Sequence, residues 1–323
     1  MNIPMARVFH TVIGMFLLSS CSNSQVVSKP SEIRLENNHL HSFDGDRFPF
    51  TTWMSKAEPN QIIIGVHGIS GAASDYKPLG EHLQENLPGT AIYAAETRGQ
   101  GNDPVKERRG HIEDRNDWFR DLTSFTRLIR KKHPKSQIIW CGESMGSLIV
   151  THSYAYAEDR NGLCDAMILS SPIVDIKGDF PKWKEYLARS AAFVLPKGRV
   201  SLETLAGDPE VKVTKDTTHS EQVKKNPYHI ERHTLRLITT LGDMIRGMKK
   251  ASQSINIPLY ILYGGKDVFS DPNDVELFVE NLPATAKAEQ AFYPESFHLL
   301  FHDHQSNKVV ADIEKWLRKL PTR

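Results

Sequence analysis

The stretch QIIWCGESMGSLIVTHSYA, residues 137–155, places a serine between two apolar segments of different period. QIIWC has the large apolar residues of a short buried strand, whereas the segment that begins at Ser144 has helical spacing. Gly-Glu-Ser-Met-Gly joins them, and a G-x-S-x-G between a strand and a helix is typical of a nucleophile elbow. The glycines two residues before and after the serine avoid side-chain collisions at this sharp turn. The stretch predicts Ser144 as a nucleophile, with an ordinary strand–helix turn as the alternative.

Short apolar segments and helical segments alternate on both sides of this turn. The predicted strands are QIIIGV (61–66), TAIYAAE (90–96), DAMILSS (165–171), IPLYILYGG (257–265) and AEQAFYP (288–294). The predicted helices cover residues 75–87, 115–133, 272–282 and 307–320. This alternation predicts an α/β fold with a mostly parallel central sheet flanked by helices.

The alternation is interrupted between about residues 174 and 252. This segment has helical patches without a strong strand, and we interpret it as a helical insertion above the carboxyl ends of the strands, where ligands bind in open α/β sheets. Residues 175–250 contain fifteen Lys or Arg and ten Asp or Glu, which favours either an anionic lipid surface or a solvated face. Its apolar residues are expected either to line an acyl site or to pack the insertion onto the body; they are Trp183, Tyr186, Leu187, Phe193, Val194 and Leu195.

Composition and charge exclude some classes of function. The chain has 323 residues, of which 39% are hydrophobic, and this is enough for a large core within residues 33–323. The net charge is +1 without a Lys/Arg stripe, so we expect no nucleic-acid partner. No cysteine cluster or paired-histidine motif predicts a metal. Cys141 and Cys164 are predicted to be small buried hydrophobes, and the sequence leaves open whether they pair.

A serine hydroxyl needs a base to take its proton and a carboxylate to orient that base. In a fold with this elbow, the acid follows the nucleophile along the chain and the histidine follows the acid. Asp267 lies just past the strand after the insertion, whereas the second candidate, Asp271, fits better as the cap of the next helix. His298 is the first histidine after the last strand, whereas His302 and His304 begin or precede the final helix. The predicted acid and base are therefore Asp267 and His298.

The tetrahedral intermediate of such a reaction needs two backbone N–H groups directed at its oxyanion. One is predicted to be the amide of Met145, the residue after the nucleophile. The other is predicted in the loop VHGISGAASDY (66–76), where Ile69 follows His67 and Gly68. We expect His67 to orient this loop rather than to act in catalysis.

The first residues have the pattern of an export signal. A basic residue precedes the apolar segment VFHTVIGMFLL (8–18), which has the length of a signal peptide and is too short for a confident membrane span. The following Leu-Ser-Ser-Cys resembles the lipobox of bacterial lipoproteins. This resemblance implies a signal peptide over residues 1–20, lipidation of Cys21 and a flexible tether over residues 21–32. Ser22 favours the outer over the inner membrane of a bacterial envelope, and an ordinary secretory signal is the alternative.

Six segments together resemble the monoacylglycerol lipase and lysophospholipase branch of the α/β-hydrolases. They are DGDRFPFTTW (44–53), VHGISGAASDY (66–76), TRGQGND (97–103), CGESMGS (141–147), ILYGGKDVFSDP (261–272) and SFHLLFHD (296–303). The resemblance covers about residues 43–305 apart from the insertion. It implies the α/β-hydrolase fold, a helical cap over an acyl pocket, and no cofactor, because water is the second substrate. The roles of Ser144, Asp267, His298 and Met145 also follow from it, as does that of Ile69, which replaces a smaller residue.

Three functions are compatible with these patterns. The first is a lipid-anchored serine hydrolase that cleaves esters of single-acyl lipids, a small amphipathic substrate such as a monoacylglycerol or a lysophospholipid. The second is a broad carboxylesterase or an aminopeptidase-like amidase, and the third is a catalytically silent envelope lipoprotein. Dehalogenase and epoxide hydrolase chemistry is disfavoured, because both need an aspartate where this chain has Ser144. Acyl length, headgroup, oligomeric state and physiological role are not encoded in any motif.

Overall fold

The computed structural model describes residues 32–175, 182–201 and 228–321. The predicted signal peptide, Cys21 and nearly all of the predicted tether lie outside the described residues. In the three described ranges, no helix is both long enough and apolar enough to cross a membrane.

Eleven strands and seven helices are found in the described residues. The strands are β1 Arg34–Glu36, β2 His39–His41, β3 Arg47–Trp53, β4 Gln61–Val66, β5 Thr90–Ala95, β6 Gln137–Glu143, β7 Ala166–Ser170, β8 Arg199–Ser201, β9 Arg232–Thr234, β10 Leu259–Gly264 and β11 Ala288–Tyr293. The helices are α1 Lys77–Asn86, α2 Arg115–Lys132, α3 Met145–Tyr156, α4 Lys182–Val194, α5 Leu235–Ser252, α6 Pro272–Glu280 and α7 Ser306–Lys319.

Nine strands form one sheet in the order β1-β2-β3-β5-β4-β6-β7-β10-β11. The strands from β5 to β11 in this order are parallel, and β1, β2 and β3 add an antiparallel edge. The central strands β4, β6, β7 and β10 are buried almost throughout, as expected for parallel strands that are covered by helices on both faces. The predicted α/β class with a mostly parallel sheet flanked by helices is confirmed.

Several short strands have no clear pattern in the sequence. The β1–β2 hairpin turns at Asn37 and Asn38, both with positive φ, which asparagine adopts more readily than most residues. A turn at Asp44-Gly45 lies between β2 and β3. Two further short strands, β8 and β9, pair antiparallel within the insertion, and we call them the cap ribbon. Strands of three residues are too short to show an alternating pattern, so the sequence did not predict them.

The described part of the insertion has one buried and one exposed helix. Helix α5 packs on α3, and its Leu237, Met244 and Met248 are part of the main hydrophobic core. On α4, by contrast, Tyr186 is 77% exposed and Phe193 is 88% exposed. Val194 and Leu195 are exposed as well, whereas the side chains of Trp183 and Leu187 lie outside what is described.

A buried arginine fixes the antiparallel edge to the body. The Arg98 guanidinium donates two hydrogen bonds to the Asp121 carboxylate on α2, at 2.7 and 3.0 Å. It also forms ion pairs with Asp44 and Asp46 in the turn between β2 and β3. Burial raises the pKa of Asp121, and the hydrogen bonds and charge of Arg98 oppose that rise. Arg98 therefore supplies the positive charge for a carboxylate whose other side-chain hydrogen bond comes from the neutral Ser42 hydroxyl.

Replacing this arginine should destabilise the fold strongly. We expect Arg98→Met to lower the free energy of unfolding by about 3–5 kcal/mol, because Asp121 would remain buried without its cation. The matched control is Arg127→Met, since Arg127 also forms a two-pronged pair, with Asp159, but the side chains are 55% and 63% exposed. That control should cost less than about 1 kcal/mol. Urea unfolding of both variants measures the difference, and equal losses would contradict the interpretation.

Candidate active site

Ser144 lies at the junction between β6 and α3, as the elbow pattern predicts. Its backbone has φ 54° and ψ −116°, an unfavourable conformation for a residue with a side chain. Its amide donates to the Ser170 carbonyl on the neighbouring strand β7 at 2.9 Å. The strained turn is therefore tied to the sheet immediately before the helix begins.

The two glycines of the elbow are required by close approaches. A Cβ on Gly146 would overlap the Val66 carbonyl oxygen and lie 2.7 Å from the Val66 carbonyl carbon. A Cβ on Gly142 would overlap the Gly146 carbonyl and lie 2.6 Å from the Ser147 nitrogen. All of these atoms belong to the backbone, so they cannot move aside as a flexible side chain would. Glycine at both positions lets the first turn of α3 pass against the end of β4.

The predicted base and acid lie in series behind the serine. His298 Nε2 is 2.7 Å from Ser144 Oγ, and His298 Nδ1 is 2.7 Å from Asp267 Oδ2. Because a carboxylate only accepts hydrogen bonds, Nδ1 must carry the proton and donate to Asp267. Nε2 is then unprotonated and accepts a hydrogen bond from the Ser144 hydroxyl. Asp267 Oδ1 accepts from the Phe269 and Ser270 amides at 2.8 and 3.2 Å. Ser144 is 3% exposed and the other two are each 2% exposed.

The alternative acid and bases lie elsewhere. Asp271 caps α6 by accepting a hydrogen bond from the Asn273 amide at 3.0 Å. His302 Nε2 is 3.1 Å from the Asp75 carbonyl, and His304 Nδ1 is 3.0 Å from Asp303 Oδ1. Their hydrogen-bond partners therefore differ from those of Asp267 and His298.

Three polar residues that sequence reasoning missed hold the acid and base loops. Ser171 has φ 46°, and its hydroxyl donates to the His298 carbonyl at 2.6 Å. Asp303 accepts from the Phe297 amide at 2.7 Å, and the Ser270 hydroxyl donates to the Pro172 carbonyl at 2.8 Å. The partners are distant in sequence for the two serines, so no local pattern indicates them. Asp303 is the only one of the three close in sequence to its partner, since it lies six residues after Phe297.

The predicted oxyanion donors lie beside the serine. The Ser144 amide already donates to the Ser170 carbonyl on β7. The amide that follows it along the chain is that of Met145, the first residue of α3. A Cβ on Gly68 would lie 3.3 Å from the Ser144 Cβ, which places the backbone before Ile69 against the nucleophile. Among the described residues, neither the Ile69 nor the Met145 amide donates to a protein acceptor. Both N–H groups are thus available for a ligand oxygen.

His67 connects the loop after β4 to the loop after β5. Its Nδ1 donates to the Gly68 carbonyl at 3.0 Å, and its Nε2 accepts from the Thr97 amide at 3.0 Å. Burial lowers the pKa of His67, which favours the neutral ring that these two bonds need. His67 has no hydrogen bond with the serine, in agreement with the structural role expected for it.

Three carboxyl groups, one of them buried and two partly buried, lie in or beside the loops around the elbow. Burial raises the pKa of Glu143 well above its ordinary value, and the nearby Asp75 carboxylate raises it further. Burial also raises the pKa of Asp75 and of Glu96. Burial disfavours the ionised form of each group, most strongly for Glu143. Among the described residues, no group of three or more His, Cys, Asp or Glu side chains is arranged to hold a metal ion.

The comparison with protein families agrees with this geometry. Residues 57–305 match the family described as serine aminopeptidase, S33. The chain belongs to this family. The matched range includes the elbow, both loops that contribute backbone amides, and the acid and base loops, so the family assignment covers the whole candidate site of this α/β-hydrolase.

Individual relatives of this S33 family member are distant. The chain is 20% identical over 264 residues to a carboxylesterase of Bacillus subtilis (strain 168), which covers 81% of this chain and 94% of the relative. A soluble variant of monoglyceride lipase from Saccharomyces cerevisiae superposes with a TM-score of 0.75 at 22% identity, covering 90% of this chain and 97% of that one. Monoacylglycerol lipase from Paleococcus ferrophilus superposes with a TM-score of 0.68 at 20% identity, covering 84% of this chain and 98% of that one. At these identities the structural likeness shows the fold.

The elbow geometry generates a stability prediction for two helical glycines. Gly146→Ala should destabilise the protein by more than about 3 kcal/mol, because the added Cβ meets the backbone of β4. Gly242→Ala on α5 is the matched control, since its Cβ would find only the Arg246 side chain at 3.7 Å. The control should gain about 0.5–1 kcal/mol from helix propensity. Urea unfolding measures both, and a Gly146→Ala protein as stable as wild type would contradict the assigned close approach.

Proposed function

We propose that this protein is a serine hydrolase that cleaves carboxylic esters of single-acyl lipids, such as monoacylglycerols or lysophospholipids. The observation that supports the proposal is the series of hydrogen bonds from Asp267 through His298 to Ser144, at 2.7 Å each, next to two available backbone amides. A nucleophile, a base, an orienting acid and oxyanion donors are the groups that acyl transfer requires.

The proposed reaction has two halves. In the first, Ser144 Oγ attacks the ester carbonyl while His298 Nε2 takes its proton, and the Ile69 and Met145 amides stabilise the oxyanion. Collapse of this intermediate breaks the ester bond, His298 protonates the leaving alcohol, and the acyl group stays on Ser144. In the second half, His298 removes a proton from water, which attacks the acyl-enzyme; His298 then returns the proton to Ser144 Oγ as the acyl bond breaks and the carboxylic acid leaves. Asp267 keeps the imidazole oriented throughout.

The choice of a single-acyl lipid has two supports. The first is the printed activity of structural relatives, two of which are monoglyceride or monoacylglycerol lipases. The second is the described part of the insertion, where exposed apolar side chains on α4 lie in a segment with an excess of basic residues. An exposed apolar patch of this kind is common where proteins meet lipid or other partners. Both features suit an amphipathic substrate.

The alternative activity is hydrolysis of an ester without an acyl-chain preference, or of a peptide amide. The family description, serine aminopeptidase, favours the amide alternative, and the Bacillus carboxylesterase favours a broad ester substrate. The hydrogen-bonded Ser–His–Asp series argues against a catalytically silent binding protein, because a protein without catalysis has no need to keep all three groups in register.

The purified protein should hydrolyse p-nitrophenyl esters, with kcat/KM rising from acetate toward longer acyl chains. Ser144→Ala should lower kcat by about 10⁶, and Asp267→Asn by about 10⁴ because the imidazole would adopt the wrong tautomer. Asp271→Asn is the matched control and should keep wild-type kcat, since Asp271 caps a helix. A folded wild type that is inert on every ester but active on aminoacyl p-nitroanilides would instead establish the amidase alternative.

We propose further that Cys21 is lipidated and anchors the protein to the bacterial envelope, on the outer rather than the inner membrane. The lipobox-like residues before Cys21 and the polar segment after it support this. In a bacterial host, wild type should label with radioactive palmitate and sediment with outer-membrane vesicles. Cys21→Ser should abolish the label and remain unprocessed or soluble, whereas Cys164→Ser should label normally. Equal labelling of wild type and Cys21→Ser would refute lipidation at this position.

A further inference from the structure

The backbone that presents the Ile69 amide is a tight turn, Gly68 to Gly71, which we call the oxyanion turn. The Gly71 amide donates to the Gly68 carbonyl at 3.2 Å, so Ile69 and Ser70 occupy the two central positions. Ser70 has φ 58°, in the left-handed region that strongly favours glycine at this place in a turn. A side chain at such a position is unfavourable unless its surroundings hold it there.

Both the amide and the hydroxyl of Ser70 are hydrogen-bonded. Its amide donates to Gln100 Oε1 at 2.8 Å. Its hydroxyl donates to the Ile230 carbonyl at 3.0 Å and lies 3.2 Å from His233 Nε2. Because the hydroxyl has a single proton, which the Ile230 carbonyl accepts, His233 Nε2–H must be the donor in the second contact. Ile230 and His233 belong to the insertion, 160 or more residues away in sequence.

The insertion side of this contact is itself fixed to the body. His233 lies on β9 opposite Val200 in the cap ribbon and is fully buried. The next residue, Thr234, donates its amide to the Gly110 carbonyl at 2.8 Å and has its hydroxyl 2.9 Å from His111 Nδ1. The cap ribbon is therefore hydrogen-bonded to the body at the residue next to His233.

We propose that Ser70 is a positioning residue, and that the Ser70–His233–Ile230 contact lets the cap ribbon hold the Ile69 amide in the geometry that binds the oxyanion. This inference rests on the proposed function for its catalytic consequence. A hydrogen bond that aligns the oxyanion turn acts mainly on the tetrahedral state, since the ground-state ester makes little use of the donor. Loss of the contact should therefore lower kcat more than it changes KM.

Ser70→Ala should lower kcat on p-nitrophenyl butyrate by about 10-fold with KM within about twofold, a fraction of the loss seen when an oxyanion donor is removed. The inhibition constant of a trifluoromethyl ketone of matched chain length should rise by a similar factor, because its adduct with Ser144 is tetrahedral. Ser70→Gly tolerates φ 58° and should show the same kcat loss. Wild-type kcat in Ser70→Gly would overturn the proposal, and so would a KM effect without a kcat effect.

The partner side has its own test. His233→Gln keeps an N–H near the position of Nε2 and should retain most of kcat, whereas His233→Leu should lose part of what Ser70→Ala loses, because the bond from Ser70 to the Ile230 carbonyl remains. The double variant Ser70→Ala/His233→Leu should be no worse than Ser70→Ala, because the contact with His233 is already lost when the Ser70 hydroxyl is removed. Fully additive losses would show that the two residues act separately. Ser55→Ala is the control, since it removes a serine–carbonyl bond, to Pro88, away from the site.

Hydrogen exchange tests the contact without relying on ester hydrolysis. Amides of the oxyanion turn should exchange at least about threefold faster in Ser70→Ala than in wild type, and at the wild-type rate in Ser55→Ala. If wild type proves inert on every ester while the exchange difference appears, the proposed function fails and the structural contact stands. If wild type is active and neither exchange nor kcat responds to Ser70→Ala, the proposed function stands and this inference fails.

Discussion

The contact between the end of β4 and the first turn of α3 constrains the rest of the site. Gly146 passes so close to Val66 that no side chain fits between them. Because β4 and β6 are adjacent parallel strands, their carboxyl ends meet at the same edge of the sheet. The chain after Val66 must then turn beside Ser144, and this is how the Ile69 amide comes to lie near the nucleophile. One steric requirement positions both Ser144 and the loop that carries the predicted oxyanion donor.

The sequence predicted features that depend on local pattern or on chain order. The buried strands have short apolar runs, and the elbow has its two glycines, so the fold class followed from periodicity and one motif. Asp267 and His298 are predictable because each follows a particular strand along the chain. In the structure both lie in the loops after those strands and are hydrogen-bonded in series with Ser144. Chain order sufficed because the carboxyl ends of parallel strands lie together.

The sequence did not predict features that depend on pairing between distant residues. The Ser171 hydroxyl supports the His298 carbonyl across 127 residues, and neither residue has a neighbouring pattern that indicates the other. The cap ribbon consists of two three-residue strands separated along the chain, too short for periodicity to show. Likewise, Leu237, Met244 and Met248 of α5 are buried, whereas the side chains of Tyr186 and Phe193 on α4 are exposed, although both helices have apolar residues at helical spacing. Burial here is decided by tertiary packing.

The buried polar groups around Ser144 differ in how they are compensated, and the difference has a consequence for the proposed chemistry. Asp267 accepts hydrogen bonds from two backbone amides in addition to the one from the imidazole N–H. Among the described residues, by contrast, Glu143 Oε1 receives no hydrogen bond, and burial raises the pKa of this group so that the neutral form is favoured. A carboxylate charge directly before the nucleophile would oppose an oxyanion forming at the adjacent amides. In the proposed reaction, a neutral Glu143 would therefore add no negative charge beside the Met145 and Ile69 amides, where the oxyanion would form.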